Sequence, residues 1–393
     1  GEEFVRTEVQ FIPAKLKVID HYRETYECRS CRKNGTPYME KAPVPYPPVL
    51  HSLASASTIA WLIHQKFELG IPLYRQEKEW EALGLCLSRA TLSNWLLVVY
   101  RDWLIHIVHR LKQELLKQRY LHIDETHVQV LKEPGRKNTS DSYMWVYCSI
   151  KDAVTPIRYF EYRPGRGGKY PEVFLKGYEG YIHTDAYSGY NAVSGVKRCL
   201  CYTHLRRAFV DALPKDIHTP EASKPAEAIL RLNQVFGIES ELEALFPDQK
   251  KKERLIREKP LLEAFWSWAE KSAIGELPKS KLSKAFHYAL NNREGFWNYL
   301  EDGNCSISNS LAENCIRPFV IGRKNWLFSG SPKGAEASAG IYTLVETAKA
   351  NGLAPMKYIK YILSDMPGSA FLEHPEYLDD YLPWNPLVKE FCR

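Results

Sequence analysis

The stretch Tyr120–Leu131, YLHIDETHVQVL, decides the fold. Leu121, Ile123, Val128, Val130 and Leu131 are apolar, and β-branched residues are frequent, so the spacing predicts a strand. Asp124 and Glu125 sit inside it. A buried carboxylate is costly without a partner. The pattern returns at Tyr181–Asp185, where YIHTD matches YLHID of Tyr120–Asp124. If the two strands are neighbours in one sheet, Asp124 and Asp185 converge at matching ends. Two carboxylates about 4 Å apart repel by roughly 4 kcal/mol at an effective dielectric near 20. Either one carboxylate is protonated or a divalent cation lies between them. Mg²⁺ takes oxygen ligands from one or two carboxylates and leaves room for phosphate. Paired ions can clamp the attacking and leaving oxygens of a phosphoryl transfer.

A third carboxylate would complete such a site. Glu313 is the best placed, in the first turns of a helix predicted from near Asn309 and beside a basic run. Its structural alternative is an i,i+4 ion pair with Arg317, worth a few tenths of a kcal/mol. Glu125, Asp141, Glu336 and Glu346 are weaker options. Cys201 and His204, in CYTHLRR, are either half of a zinc site or residues that orient the segment after Asp185.

Around these residues the order of strands and helices is mixed. YLHIDETHVQVL, SYMWVYCSI and IRYFEYRP read as a three-strand meander. GRGGKYPEVFLKGYEG then gives a turn and a helix, YIHTD a fourth strand, and AYSGYNAV the start of a helix. This is an α/β pattern. GRGGK (Gly165–Lys169) lacks the serine or threonine of a phosphate-binding G-x-x-x-x-G-K-[ST] loop and reads as a flexible loop. Residues 213–304 read as all-helical, with apolar residues recurring at three and four. From Ser306 compact patterning returns. Ser308 and Asn309 are cap residues, KNWLFSGS is a short extended piece, and GAEASAGIYTLVETAKANG is a small-residue helix closed by Gly352.

Upstream, VQFIPAKLKVID (Val9–Asp20) suggests a hairpin turning near Pro13-Ala14. YECRSC follows, and its Cys28 and Cys31 supply half of a tetrahedral zinc site. His21 is the one nearby candidate for the other half, and it sits poorly. APVPYPPV (Ala42–Val49) is a stiff proline-rich linker. Residues 52–117 are helical. PLYRQEKEWEALG, a turn near Gly84–Leu87 and a helix capped by Ser88 make a helix-turn-helix pattern. In that motif the second helix enters the major groove, with Arg89, Thr91, Ser93 and Asn94 as its exposed polar residues. The alternative is a plain three-helix bundle.

Composition bounds the rest. The chain has 393 residues, 45% of them hydrophobic and 12% aromatic, enough for two or three packed domains. No apolar run reaches the roughly 18–20 residues of a membrane span. Nine scattered cysteines argue for a reducing compartment over a disulfide framework. The chain starts at Gly1 without a methionine, so a truncated protein is expected. The net charge of +6 is mild, but its distribution is uneven. Arg317–Lys333 carries Arg317, Arg323, Lys324 and Lys333 with no acid. Lys197–Arg207 carries Lys197, Arg198, His204, Arg206 and Arg207 with no acid. Basic clusters with interleaved aromatics suit nucleic acid, although such runs are also common as solvated faces.

At these residues the chain resembles the transposases of the insertion sequence 66 group of bacterial mobile elements. HIDETHVQVLKEPGRKNTSDSYMWVY, FLKGYEGYIHTDAYSGYN, CYTHLRRAF and SNSLAENCIRPFVIGRKNWLFSGSPKGAEASAGIYTLVETAKANGL are similar to that group's landmarks, in its order. The likeness covers nearly the whole chain, including the helix-turn-helix and the YECRSC end of a zinc module. It implies a ribonuclease H-like core, a mixed sheet flanked by helices with a helical insertion, preceded by the helix-turn-helix and a partial zinc-binding β module. It implies an Asp-Asp-Glu triad of Asp124, Asp185 and Glu313 holding Mg²⁺ or Mn²⁺. The group's zinc module uses two cysteine pairs, whereas this chain has Cys28 and Cys31 alone.

The expected organisation is a zinc module at 1–42, a linker at 43–51, a helix-turn-helix domain at 52–117 and the core at 118–212 and 305–352. The helical insertion would span 213–304 and a C-terminal tail 353–393. The expected function is metal-dependent cleavage at transposon ends and strand transfer into target DNA. Arg206, Arg207, Arg317, Arg323 and Lys324 would contact phosphates. The expected partners are double-stranded DNA, further copies of the chain assembled on it, and accessory proteins of the same element, in the bacterial cytoplasm at the nucleoid and with no membrane. Two rivals are a transposase remnant that only occupies DNA, and a glycosidase using two carboxylates. The basic clusters and the helix-turn-helix disfavour the latter.

Overall fold

The computed structural model describes residues 2–12, 14–214 and 223–393. Its centre is a six-stranded mixed sheet. β1 (Thr25–Glu27) and β2 (Met39–Lys41) form a separate antiparallel pair near the N-terminus. The main sheet contains β3 (Tyr120–Val130), β4 (Asp141–Ser149), β5 (Arg158–Arg163), β6 (Gly180–Thr184), β7 (Val196–Leu200) and the short β8 (Phe328–Ser329). Its order is β5-β4-β3-β6-β7, with β8 added beside the far end of β3. β3, β4 and β5 are antiparallel neighbours, while β6 runs parallel to β3 and β7 parallel to β6.

Both edges of this sheet are covered. Helix Pro332–Ala350 lies along β5, where the Thr347 and Thr343 hydroxyls accept hydrogen bonds from the Arg158 and Phe160 amides at 3.0 and 2.8 Å. Those amides would otherwise be free edge donors. At the other edge Asn298 Nδ2 donates to the Arg198 carbonyl of β7 at 2.8 Å.

Helices Ala56–Ile63, Leu73–Ala82 and Arg89–Val99 form as their caps and spacing predict. Ser55 and Ser88 cap the first and third through the Thr58 and Thr91 amides. The third helix continues through a π-helical turn at Tyr100–Leu104 into Ile105–Leu116. These helices share one apolar core with the sheet and with the C-terminal helices, to which Leu92, Ile107, Leu121, Tyr342 and Ile362 all contribute. A second core joins helix Tyr202–Asp211 to helices Lys224–Glu241, Lys259–Ala273 and Lys281–Asn291. Among the described residues no helix is long and apolar enough to cross a membrane.

Three expectations are corrected. The hairpin expected over Val9–Asp20 is absent from the described residues of that stretch, and Pro13, near its turn, lies outside them. Val9, Phe11, Ile12 and Val18 are all exposed, and a hairpin with no covered face is marginal. The helix expected from AYSGYNAV is a 3-10 turn, Ser188–Ala192, followed by β7. Gly195, at φ +77°, leads the chain into β7 in a backbone region open to glycine. The third correction is at Asn309. It stands at the cap position of helix Ser310–Trp326, but its side chain does not cap that helix.

Candidate active site

The register of β3 and β6 runs Tyr120–Tyr181, Leu121–Ile182, His122–His183. Two residues further along, the same register sets Asp124 beside Asp185. The repeated YLHID and YIHTD motifs therefore lie side by side. On the β3 face that carries His122, Asp124 and Thr126, helix Ser310–Trp326 crosses the sheet and brings up Glu313 in its first turn.

Asn309 fixes that crossing. It is fully buried. Its Nδ2 donates to the Ile123 carbonyl at 2.8 Å, and its Oδ1 meets His122 Nδ1 at 3.0 Å. Its backbone amide donates to Cys201 Sγ at 3.2 Å. The side chain that could have capped the helix instead ties it to the residue before Asp124. Asn309→Ala leaves the Ile123 carbonyl and a His122 ring nitrogen unpaired in the interior. The expected loss is about 2–5 kcal/mol of stability, read as a lower urea midpoint. An unchanged midpoint would refute this role.

Asp124 is held as an unusually weak acid. Its pKa is pushed up to about 7, first by burial, then by the Glu125 charge. The Glu125 amide, which donates to Asp124 Oδ1 at 2.9 Å, works the other way. The Asp185 and Glu313 charges add to the rise. Among the described residues Asp124 has no ion-pair partner. Asp185 Oδ1 accepts from the Tyr187 amide at 3.0 Å, and its Oδ2 lies 3.8 Å from an Arg166 guanidinium nitrogen. Glu313 Oε1 is buried without a hydrogen-bond partner, and His204 Nδ1 lies 3.7 Å from it. The Glu313–Arg317 ion pair is not formed, and Arg317 is exposed.

Asp124, Asp185 and Glu313 thus sense one another, but they are not among the groups whose ligand atoms lie within 4.8 Å of each other. Hard oxygen donors, accumulated negative charge and no protein cation at Asp124 fit a divalent cation such as Mg²⁺.

The other acids are engaged elsewhere. Glu125 Oε1 accepts from Arg166 Nε at 2.6 Å, and its Oε2 accepts from the Tyr190 hydroxyl. Asp141 pairs with His127 at 2.6 Å, and Glu346 with Lys349 at 2.9 Å. Glu336 lies near Tyr100, where its charge adds to the rise that burial causes in that phenol's pKa.

Two arginines of the site escaped the sequence reading. Arg166, in the loop read as merely flexible, stacks 3.9 Å from the Tyr187 ring centroid while bridging towards Glu125 and Asp185. The signal was Gly168: a Cβ there would lie 2.5 Å from the Gly189 carbonyl oxygen, so the two loops must touch. Arg198 grips the loop after β6. It donates to Thr184 Oγ1 at 2.7 Å and to the Asp185 and Tyr187 carbonyls at 2.6 and 2.8 Å. An open cleft of about 380 Å³ follows, lined by Arg166, Asp185, Tyr187, His204, Arg207 and Tyr288 among others.

A family model described as "Transposase IS66 family" matches residues 51–337, well over half of the chain. The chain belongs to the IS66 family of transposases. This bears out the resemblance carried by the motifs around Asp124, Asp185 and Glu313. A second model, the zinc-finger binding domain of transposase IS66, matches residues 1–32.

Three proteins of Sinorhizobium fredii (strain NBRC 101917 / NGR234) are similar over almost the whole chain. Uncharacterized protein y4hP is 26% identical over 405 residues, covering 98% of this chain and 70% of the relative. Uncharacterized protein y4jD is 28% identical, covering 96% and 74%. Uncharacterized protein y4qI is 27% identical, covering 95% and 69%.

Within this IS66 family chain, Cys28 precedes the short helix Arg29–Lys33, with Cys31 in its first turn. The Cys31 amide and thiol, with the Ser30 amide, hold the Cys28 thiol below its ordinary value. This suits a zinc thiolate. Among the described residues no third ligand group gathers on this pair.

The residues expected to meet DNA are spread over three places. Arg89 and Asn94 are exposed at the start of helix Arg89–Val99. Thr91 and Ser93 are half-buried, and the Thr91 hydroxyl is held by Ser88 Oγ at 2.9 Å, so these two are less available than the spacing implied. Arg207 lines the cleft with Asp185, whereas Arg206 is tied to Asn233 at 2.7 Å. Arg317 and Lys324 are exposed along the Glu313 helix, and Arg323 reaches Thr126 at 3.3 Å.

Proposed function

We propose that the chain is a DNA transposase whose Asp124, Asp185 and Glu313 act as one set in divalent-metal-dependent phosphoryl transfer. The observation that carries this reading is Asp124: a half-buried acid with a pKa of about 7, beside Asp185 and Glu313, with no ion-pair partner among the described residues. The sheet order, three antiparallel strands followed by two parallel ones, supports a ribonuclease H-like core. In that core 118–212 and 305–352 carry the acids, and 213–304 is a helical insertion. Mg²⁺ or Mn²⁺, when bound, supplies an activated water and offsets charge on the phosphate.

The chain's own residues then have distinct tasks. Asp124, Asp185 and Glu313 hold the cation. Arg166 neutralises Glu125 and keeps it from joining the set. Asn309 and Arg198 fix the backbone on which Glu313 and Asp185 ride. Arg207, Arg317, Arg323 and Lys324 bind phosphates, with Arg206 in reserve once released from Asn233. Helix Arg89–Val99 reads the element's ends through Arg89 and Asn94, with Thr91 and Ser93 beside them. A zinc-loaded N-terminal module adds a further DNA contact. The reaction cuts a phosphodiester at each end of the element and joins the freed 3′-hydroxyl to target DNA. Handling two ends calls for at least a dimer on DNA, in the bacterial cytoplasm.

The test uses DNA carrying both flanks of the encoding gene, with Mg²⁺ or with chelator, and maps nicks at nucleotide resolution. Metal-dependent nicks at the element boundary are expected from the parent protein. Asp185→Asn and Glu313→Gln should cut at least ~10³-fold more slowly while binding the same DNA. Cutting that survives either substitution removes that residue from the set. Binding without any cutting by the parent protein favours the DNA-occupying remnant.

A further inference from the structure

We propose that Cys201, His204 and Glu313 form a binding site for one Zn²⁺ ion. The site rests on the transposase reading only in sharing Glu313 with the proposed catalytic acids.

Cys201 directly follows β7, and helix Tyr202–Asp211 starts at the next residue. The C-x2-H spacing therefore puts Cys201 and His204 at the same end of that helix. Glu313 enters from the first turn of helix Ser310–Trp326. One ligand atom from each of the three residues lies within 4.8 Å of the other two.

Glu313 Oε1 has no other occupation, and the His204 imidazole is engaged by the Cys201 side chain, a fellow ligand of the site. His204 Nδ1 and Glu313 Oε1 are both buried and lack hydrogen-bond partners outside this group. Buried polar atoms are normally paired, so these two facing each other call for an explanation. At 3.7 Å they are too far apart to bond directly. Zinc bond lengths of about 2.0–2.3 Å place tetrahedral ligand atoms roughly 3.3–3.6 Å apart, a contraction of a few tenths of an ångström.

The third ligand is prepared as well. The Asn309 amide donates to Cys201 Sγ at 3.2 Å, the outer contact that steadies a ligating thiolate. Thiolate, imidazole and carboxylate together form a zinc donor set, and three protein ligands leave a fourth position open. The nearby cluster of His183, Cys199 and Cys305 provides the contrast. It is equally compact, but His183 Nδ1 meets the Leu121 carbonyl at 3.1 Å and its Nε2 accepts from the Ser306 amide at 2.9 Å. That imidazole has no lone pair left for a metal.

The experiment titrates the full chain carrying Cys28→Ser and Cys31→Ser with Co²⁺, without DNA and without oxygen. These two substitutions remove the N-terminal thiols. One thiolate-bound Co²⁺ per chain is expected, with tetrahedral ligand-field bands and a thiolate-to-cobalt charge-transfer band, both displaced by Zn²⁺. Cys201→Ser should abolish the charge-transfer band. His204→Ala and Glu313→Gln should each weaken binding at least ~10-fold. Cys199→Ser and Asp124→Asn should leave the charge-transfer band unchanged.

A parent protein without the charge-transfer band overturns the site, as does a band that survives Cys201→Ser. A charge-transfer band lost in Asp124→Asn overturns it too, because the ion then depends on the acids beside Asp124. Far-ultraviolet circular dichroism checks each variant, and should Cys201→Ser unfold, His204→Ala and Glu313→Gln decide. None of these readouts depends on DNA cutting, so failure here and failure of the transposase reading are told apart.

Discussion

Asp124→Asn is expected to abolish cleavage and to raise the melting temperature at neutral pH. The first effect follows from the proposed assignment, since the substitution removes a charge that would hold the cation. The second follows from linkage. In the folded chain the Asp124 pKa is about 7, against an ordinary 3.8. The folded state therefore holds this proton more tightly than the unfolded state does. Its contribution is fully present below about pH 4 and is lost as pH rises to about 7. Above that window the charged group costs up to ~4 kcal/mol.

Asparagine carries no charge, and its amide oxygen can still accept the Glu125 amide. Melting curves of the two proteins should coincide near pH 4 and diverge towards pH 8, with the variant higher. Mg²⁺ should raise the parent's melting temperature at pH 8 and leave the variant's nearly unchanged. A variant that melts lower than its parent at pH 8 would contradict the geometry around Asp124.

Arg254→Ala should cause the largest loss of stability among single substitutions in the helical region, about 3–5 kcal/mol. Arg254 is fully buried. It forks onto Glu239, with Nε and Nη2 donating at 2.9 and 2.6 Å. It also donates to the Tyr299, Asp302 and Cys305 carbonyls at 3.1, 3.2 and 2.8 Å. Alanine would leave the half-buried Glu239 carboxylate with Lys250 alone at 2.7 Å, and would strand three carbonyls. Arg254→Lys keeps the charge but not the fork, and should recover less than half of the loss. Lys151 and Glu243, 3.3 Å apart and exposed, supply the control, since Lys151→Ala should change stability by no more than about 0.5 kcal/mol. Urea unfolding followed by tryptophan fluorescence tests all three. A shift for Arg254→Ala as small as the control's would refute the anchor.

The parts of this fold that were legible are those where one residue type had to be explained. Acids inside two apolar strands predicted that Asp124 and Asp185 would meet, and the β3–β6 register brings their strands side by side. Ser88 and the glycine-ended helices gave their own boundaries. β7 was missed because Lys197 and Arg198 read as a basic face. It is a five-residue parallel strand at a sheet edge, and strands that short carry little periodicity. Arg166 and Arg198 were invisible for another reason. Each acts across long sequence separations, on Glu125 and on the backbone at Asp185, and no local spacing encodes that. Asn309 was recognised as a cap residue, but local propensity yielded to a buried carbonyl on β3. The clustering of Cys201 and His204 with Glu313 required the tertiary fold, since more than a hundred residues separate them.

The Glu313 helix is fastened to β3 at both ends. Asn309 holds its start to the Ile123 carbonyl. Beyond its last turn β8 pairs with Gln129 and Val130. The helical excursion leaves the sheet after helix Tyr202–Asp211 and comes back where Ile307 accepts from the Tyr202 amide at 3.0 Å. Departure and return are therefore neighbours. The spacing between Asp124 and Glu313 is set by the strand, not by the length of chain between Asp185 and Glu313. The stretch between Asp211 and Ile307 is free to lengthen or shorten, because Arg198 and Asn309, which hold Asp185 and the Glu313 helix, lie outside it.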